Sequence, residues 1–252
     1  MPKLILITGA TAGFGNAIAR KFAENGNNLI LTGRRQERLD DLARELTGKY
    51  SIEVLPLCFD VRKPGEVEAA IASLPGSWRD IDVLVNNAGL AVGLNPVHEG
   101  VIDDWERMID TNVKGLLYMT RLVSPLMVAR RQGHIINIGS IAGREVYANG
   151  NVYCGSKFAV DAITKGTRID LVAYNIKVTQ IAPGAAETEF SMVRFKGDET
   201  RAGSVYKGFT PLSAGDVADV VFYVTTLPAH VNINDLVLMP TAQASAAITH
   251  KV

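Results

Sequence analysis

Cysteine is nearly absent from this 252-residue chain. Only Cys58 and Cys154 occur, far apart and in no C-x-x-C pair, which argues against a disulfide framework or a zinc cluster. Net charge is absent too: Lys plus Arg total 26 and Asp plus Glu total 26. No overall field therefore draws the chain to nucleic acid or a membrane surface, and any anion site must be local. No apolar run approaches membrane-spanning length. The opening "MPKLILITGA" passes from one basic residue and a short apolar run straight into glycine, without the hydrophobic region or cleavage site of an export signal. His98, His134, His230 and His250 fall in no metal-ligand spacing. Linker-like, repeated and low-complexity segments are missing as well. These absences predict a soluble, cytoplasmic protein with no metal, nucleic-acid or membrane partner.

What is present is ordinary globular composition, 47% hydrophobic and 21% charged. Short runs rich in Ile, Leu and Val recur: Leu4 to Thr8, Asn28 to Thr32, Glu53 to Phe59, Asp82 to Asn86, His134 to Ile138, Lys177 to Ile181 and Asp235 to Met239. Most are apolar on successive residues, as in strands buried on both faces of a parallel sheet. Between them lie segments of helical spacing, such as Asn16 to Gly26 and Arg35 to Gly48, the second with Leu39, Leu42 and Leu46 on one face. This alternation predicts an α/β fold, a doubly wound sheet of about seven parallel strands with helices on both faces, in one domain over 1–252. The least regular stretch, Glu187 to Thr210, precedes a last helix starting near Ser213. Ligands of open α/β sheets bind beyond the carboxyl ends of the strands, so this insertion is placed to cover a substrate.

The first predicted strand runs into "TGATAGFG", with Gly9, Gly13 and Gly15 ahead of a helix. Glycines there permit a tight turn and close approach of backbone to a pyrophosphate, and the helix N-terminus offers N–H groups to it. The spacing is G-x-x-x-G-x-G rather than G-x-G-x-x-G, and a turn without a ligand is the alternative. After the second strand, where a carboxylate would hold a ribose 2′-hydroxyl, stand Gly33, Arg34 and Arg35. Two guanidiniums suit a 2′-phosphate and favour NADP(H) over NAD(H). The alternative is that they are solvated charges opening a charged helix.

Further along come "NNAG" at Asn86 to Gly89, Asn112 in "DTNVKG", Ser140 in "NIGSIAG", and Tyr153 with Lys157 in "NVYCGSK". Singly each has a plain reading: a turn, a surface asparagine in a long helix, a cap, and a same-face helical pair. Together with "TGATAGFG", in this order and spacing across the chain, they resemble the motifs of the short-chain dehydrogenase/reductase family. The resemblance implies a Rossmann-like fold and a homotetramer with contacts near "ARRQGHIIN" and "LPAHVNINDLVLM". It implies Tyr153 as acid/base, Lys157 on the nicotinamide ribose, Ser140 polarising the substrate oxygen, and Asn112 holding a water that links Lys157 to solvent. Cofactor contacts implied in the glycine loop are Gly9, Thr11, Gly13, Phe14 and Gly15. Beyond it they are Arg34, Arg35, Asp60, Val61 and Asn87, then Pro183 and Thr188 of "APGAAET". Asp60 equally suits a turn or helix cap.

A free phenol titrates near ~10, and an adjacent ammonium favours the phenolate, so Lys157 is expected to lower the pKa of Tyr153 toward the working pH. Cys154, a helical neighbour pointing about 100° away, is expected to fill space. The stretches "ATAGFG", "TGRRQERL", "EFSMVRFKGD" and "LPAHVNIN" resemble the branch that oxidises the 3-hydroxyl of small hydroxy acids, serine and L-allo-threonine among them, and reduces malonic semialdehyde. Such a substrate needs a cation for its carboxylate, and Arg194, Lys196 and Arg144 are the candidates. The alternatives are a general carbonyl or 3-oxoacyl reductase of the same fold, and a non-catalytic NADP(H)-binding regulator.

Overall fold

The computed structural model describes residues 2–252. Seven strands form one parallel sheet in the order β3-β2-β1-β4-β5-β6-β7. They are β1 Leu4–Ile7, β2 Asn28–Gly33, β3 Val54–Cys58, β4 Val83–Asn86, β5 Gly133–Ile138, β6 Ile176–Pro183 and β7 Asp235–Leu238. The apolar runs place these strands because alternate residues feed two separate cores. Ile5 and Ile7 join the core that includes Ile18 and Phe22 of α1 (Gly13–Glu24) and Leu39 of α2 (Gln36–Lys49). Leu6, between them, joins Val67 of α3 (Pro64–Ala72) and Val123 of α5 (Leu116–Arg130) on the other face. A strand buried on both sides has no polar face to show, hence the unbroken hydrophobic runs.

β3 tolerates Pro56 because it is an edge strand, where a missing N–H leaves no ladder bond unmade on its open side. β1 pairs with β2 on one side and β4 on the other. Connections run outward in both directions from there, which opens a crevice at the carboxyl ends of those strands. The remaining helices are α4 Ile102–Ile109, α6 Asn151–Leu171, α7 Glu189–Arg194, α8 Glu199–Ser204 and α9 Ala214–Thr226.

Two departures from the sequence reading bear on the site. The stretch from Glu187 to Thr210 carries the short helices α7 and α8, each started by a side-chain cap, Thr188 and Asp198. Asn112 sits in a π-helical turn, Asp110–Gly115, joining α4 to α5, rather than in regular helix. Among the described residues no helix is long and apolar enough to cross a membrane.

Candidate active site

Every strand end that the sequence marked opens into one cavity of about 730 Å³, within the range of small-molecule sites. Gly9 (φ 67°) and Gly13 (φ 50°) take left-handed backbone that only glycine adopts freely. Gly15 is required for a different reason: a Cβ there would overlap the Gly9 carbonyl oxygen and lie 2.5 Å from Asn87 Nδ2. Asn87 ties this loop to β4, its Nδ2 donating to the Thr8 carbonyl at 2.8 Å. No side chain caps α1 at Ala12, and Thr11, Ala12, Gly13 and Phe14 line the cavity. An uncapped helix start facing a cavity fits a phosphate-bearing group.

At the same end, Arg34, Arg35, Asp60 and Val61 line the cavity. Arg35 donates to Thr11 Oγ1 from Nε (3.1 Å) and Nη2 (2.8 Å). The Asp60 carboxylate accepts from Arg62 Nη2 at 2.6 Å. Burial opposes its charge, but hydrogen bonds from Arg62 outweigh that and hold the carboxyl below its usual value. Asp60 thus has a partner within the chain, which supports the turn reading alongside the adenine one.

At the other end, α6 presents Tyr153 and Lys157 on one face. Lys157 is buried, its Nζ donating to the Ile138 carbonyl at 2.9 Å and lying 6.0 Å from the Tyr153 ring centroid. Burial lowers its pKa to about 8. The expectation that Lys157 lowers the pKa of Tyr153 requires correction. Burial pushes the phenol above its ordinary value, and the groups that oppose the shift are the Ser140 hydroxyl and Arg194. Desolvation wins because both groups of the pair have left water.

Ser140 closes β5 and caps the following turn, Oγ accepting from Ala142 N at 3.1 Å. Asn112 is 2% exposed. Its Oδ1 accepts from Leu90 N at 2.8 Å, and its Nδ2 donates to the Leu90 carbonyl (2.8 Å) and Ser156 Oγ (3.0 Å). The π turn aims it inward, clamping the loop after β4 against α6. Pro183 and Thr188 line the cavity, with Thr188 Oγ1 accepting from Phe190 N at 3.2 Å. Cys154 is fully buried and packs with Leu90, Met108 and Tyr153.

The three candidate anchors separate cleanly. Arg194 lines the cavity and donates from Nη2 to the Tyr147 hydroxyl at 2.8 Å, with its guanidinium carbon 5.7 Å from the Tyr153 ring centroid. Among the described residues it has no carboxylate partner, and its buried Nε has no acceptor. Lys196 is instead paired with Asp104 at 2.8 Å. Arg144 lies outside the cavity and pairs with Asp161 at 3.2 Å and with Asp235. The turn after Ser140 points its side chain toward α6 and β7, where those two acids consume its charge.

Sequence reasoning missed Tyr147, Glu189 and the C-terminal stretch. Gln243 accepts from Ala185 N at 2.7 Å and lines the cavity with Ala246 and Lys251. Nothing near Gln243 in sequence carries a motif, so only the fold brings it there.

Residues 3–199 match the family model for short chain dehydrogenases. The chain belongs to the short-chain dehydrogenase family. Over 247 residues, 98% of each sequence, this short-chain dehydrogenase is 53% identical to the NADP-dependent 3-hydroxy acid dehydrogenase YdfG of Salmonella typhi. It is 47% identical to sulfoacetaldehyde reductase 2 of Chromohalobacter salexigens over 248 residues, again 98% of each. The closed form of serine dehydrogenase complexed with NADP+ superposes with a TM-score of 0.92 at 50% identity, covering 99% of both chains.

Proposed function

We propose that this short-chain dehydrogenase is an NADP(H)-dependent oxidoreductase acting on the 3-hydroxyl or 3-oxo group of small hydroxy acids such as serine. The observation that carries the substrate class is Arg194, a cation on the cavity wall beside Tyr153 with no carboxylate partner among the described residues. An unpaired guanidinium there suits a carboxylate two carbons from the reacting centre. The cofactor reading is supported by the uncapped start of α1 and by Arg34 and Arg35 at the rim.

When bound, the nicotinamide supplies or accepts the hydride. The chain's own residues handle the proton and the geometry. Tyr153 donates its phenolic proton to the carbonyl oxygen in reduction; in oxidation its phenolate accepts the proton of the alcohol, and burial, which raises the phenol's pKa, favours the reductive direction of this transfer. Ser140 hydrogen-bonds the same substrate oxygen and fixes its approach. Lys157, docked on the Ile138 carbonyl, holds the cofactor's ribose hydroxyls beside Tyr153. Asn112 keeps the loop after β4 and α6 in register. Helices α7 and α8 cover the substrate, with Arg194 closing on its carboxylate.

Assembly as a homotetramer in the cytoplasm belongs to the same reading. It is supported by apolar side chains left exposed on α5 and α6, Leu117, Phe158 and Ile169, and light scattering checks it.

The test is an activity panel with NADPH and NADP+. Serine, L-allo-threonine and 3-hydroxypropionate should turn over, and Tyr153→Phe should abolish turnover while NADPH binding survives. Turnover of acyl thioesters but no 3-hydroxy acid overturns the substrate class in favour of a 3-oxoacyl reductase. Sulfoacetaldehyde belongs in the panel because its sulfonate offers Arg194 a similar anion.

A further inference from the structure

We propose that Glu189 is a displaceable carboxylate that competes with the cofactor's 2′-phosphate for Arg35, so that filling the adenosine end of the crevice is transmitted to α7. The inference rests on the NADP(H) reading above. Glu189 is the first residue of α7 and Arg194 the last, so one short helix joins the rim expected to hold the 2′-phosphate to the cation expected to hold the substrate.

Glu189 Oε2 accepts from Arg35 Nη1 at 3.3 Å, and its Oε1 accepts from Arg38 Nη1 at 3.0 Å. The carboxylate thus bridges two guanidiniums of the α2 start, only one of which, Arg35, lines the cavity. A phosphate dianion arriving at Arg35 meets this carboxylate at close range, where like charges repel. A 2′-hydroxyl carries no charge and leaves the bridge in place. The side chains of Glu189 and Arg35 are 52% and 42% exposed. Ion pairs so wet are weak enough to be exchanged rather than kept. Arg35 stays docked on Thr11 through its other nitrogens, so the guanidinium remains to receive the phosphate once the carboxylate leaves.

The experiment titrates the whole protein and its Glu189→Gln variant with 2′,5′-ADP and 5′-AMP by calorimetry, and follows tryptic cleavage at Arg194, Lys196 and Arg201. The substitution is at an exposed site and keeps the size of the side chain, so folding is preserved, while one of the two oxygens that accept from the guanidiniums becomes an amide donor and the charge is lost. The variant should bind 2′,5′-ADP about three- to tenfold more tightly, with 5′-AMP changed by less than about twofold. Saturating 2′,5′-ADP should speed cleavage of the wild type, 5′-AMP should not, and the variant should be cleaved fast without ligand. Equal or weaker binding of 2′,5′-ADP by the variant overturns the proposal. So does wild-type cleavage that 2′,5′-ADP leaves unchanged or slows. A wild type that binds 5′-AMP as tightly as 2′,5′-ADP instead removes the NADP(H) reading itself, which keeps the two failures apart.

Discussion

Replacing Lys157 by methionine should make the protein more stable at neutral pH while impairing it as an enzyme. The ammonium is buried, with a pKa lowered from 10.5 to about 8 by loss of solvation. At pH 7 that shift corresponds to about 3 kcal/mol by which folding disfavours the charged lysine. The hydrogen bond to the Ile138 carbonyl offsets about 1–2 kcal/mol of it. A methionine of similar length removes both terms, so the net gain is about 1–2 kcal/mol at pH 7.

The sign of the pH dependence follows from proton counting. Between pH 8 and 10.5 the unfolded chain still binds a proton at residue 157 that the folded chain has released, so wild-type stability gains with rising pH over that window. The variant lacks this contribution, while every other titrating group is common to both proteins and cancels in the difference. Urea unfolding at half-unit pH steps from 7 to 10.5 should show the variant's advantage level up to about pH 8, falling to zero near pH ~9 and reversed by about 1–2 kcal/mol at the top of the range. An advantage that is flat with pH, or a variant less stable at pH 7, would refute the claim that burial of the ammonium governs this site.

Three further outcomes are expected. Arg194→Met should lower kcat/KM for hydroxy acids by about 30- to 1000-fold, the loss of a buried charge-assisted contact, and that for an uncharged alcohol by less than about threefold; equal losses on both would exclude Arg194 as the carboxylate anchor. Arg144→Met should leave that substrate preference untouched but cost about 2 kcal/mol in thermal or urea unfolding, since Asp161 and Asp235 lose their shared partner. Gly15→Ala should weaken NADPH binding at least tenfold by fluorescence titration and cost more than about 2 kcal/mol of stability, because the new methyl meets the Gly9 carbonyl and the Asn87 amide, and neither can move without opening the β1 loop; unchanged NADPH binding would show that the close packing is not needed.

Much of this protein was legible in its sequence, because the information was local. Two-sided burial writes itself as unbroken apolar runs, so all seven strands could be read, with ends shifted by a residue or two, as at β3. Glycine spacing, the arginines after β2 and the Tyr/Lys pair on α6 are fixed by backbone geometry within a few residues. When folded, Gly9, Gly13, Arg34, Arg35, Tyr153 and Lys157 line one cavity.

Tertiary structure alone decided whatever depended on distant neighbours. Arg144 and Arg194 are the same side chain in sequence, yet Asp161 and Asp235 pair with one while no carboxylate among the described residues pairs with the other. The Tyr153 phenol moves up rather than down because depth of burial, which no local pattern records, outweighs the opposing pull of Ser140 and Arg194. Glu189 meets Arg35 across a sequence separation of 154 residues, and Gln243 meets Ala185 across 58. Side-chain type sets what a group can do; solvation and the charges that folding gathers around it set what it does.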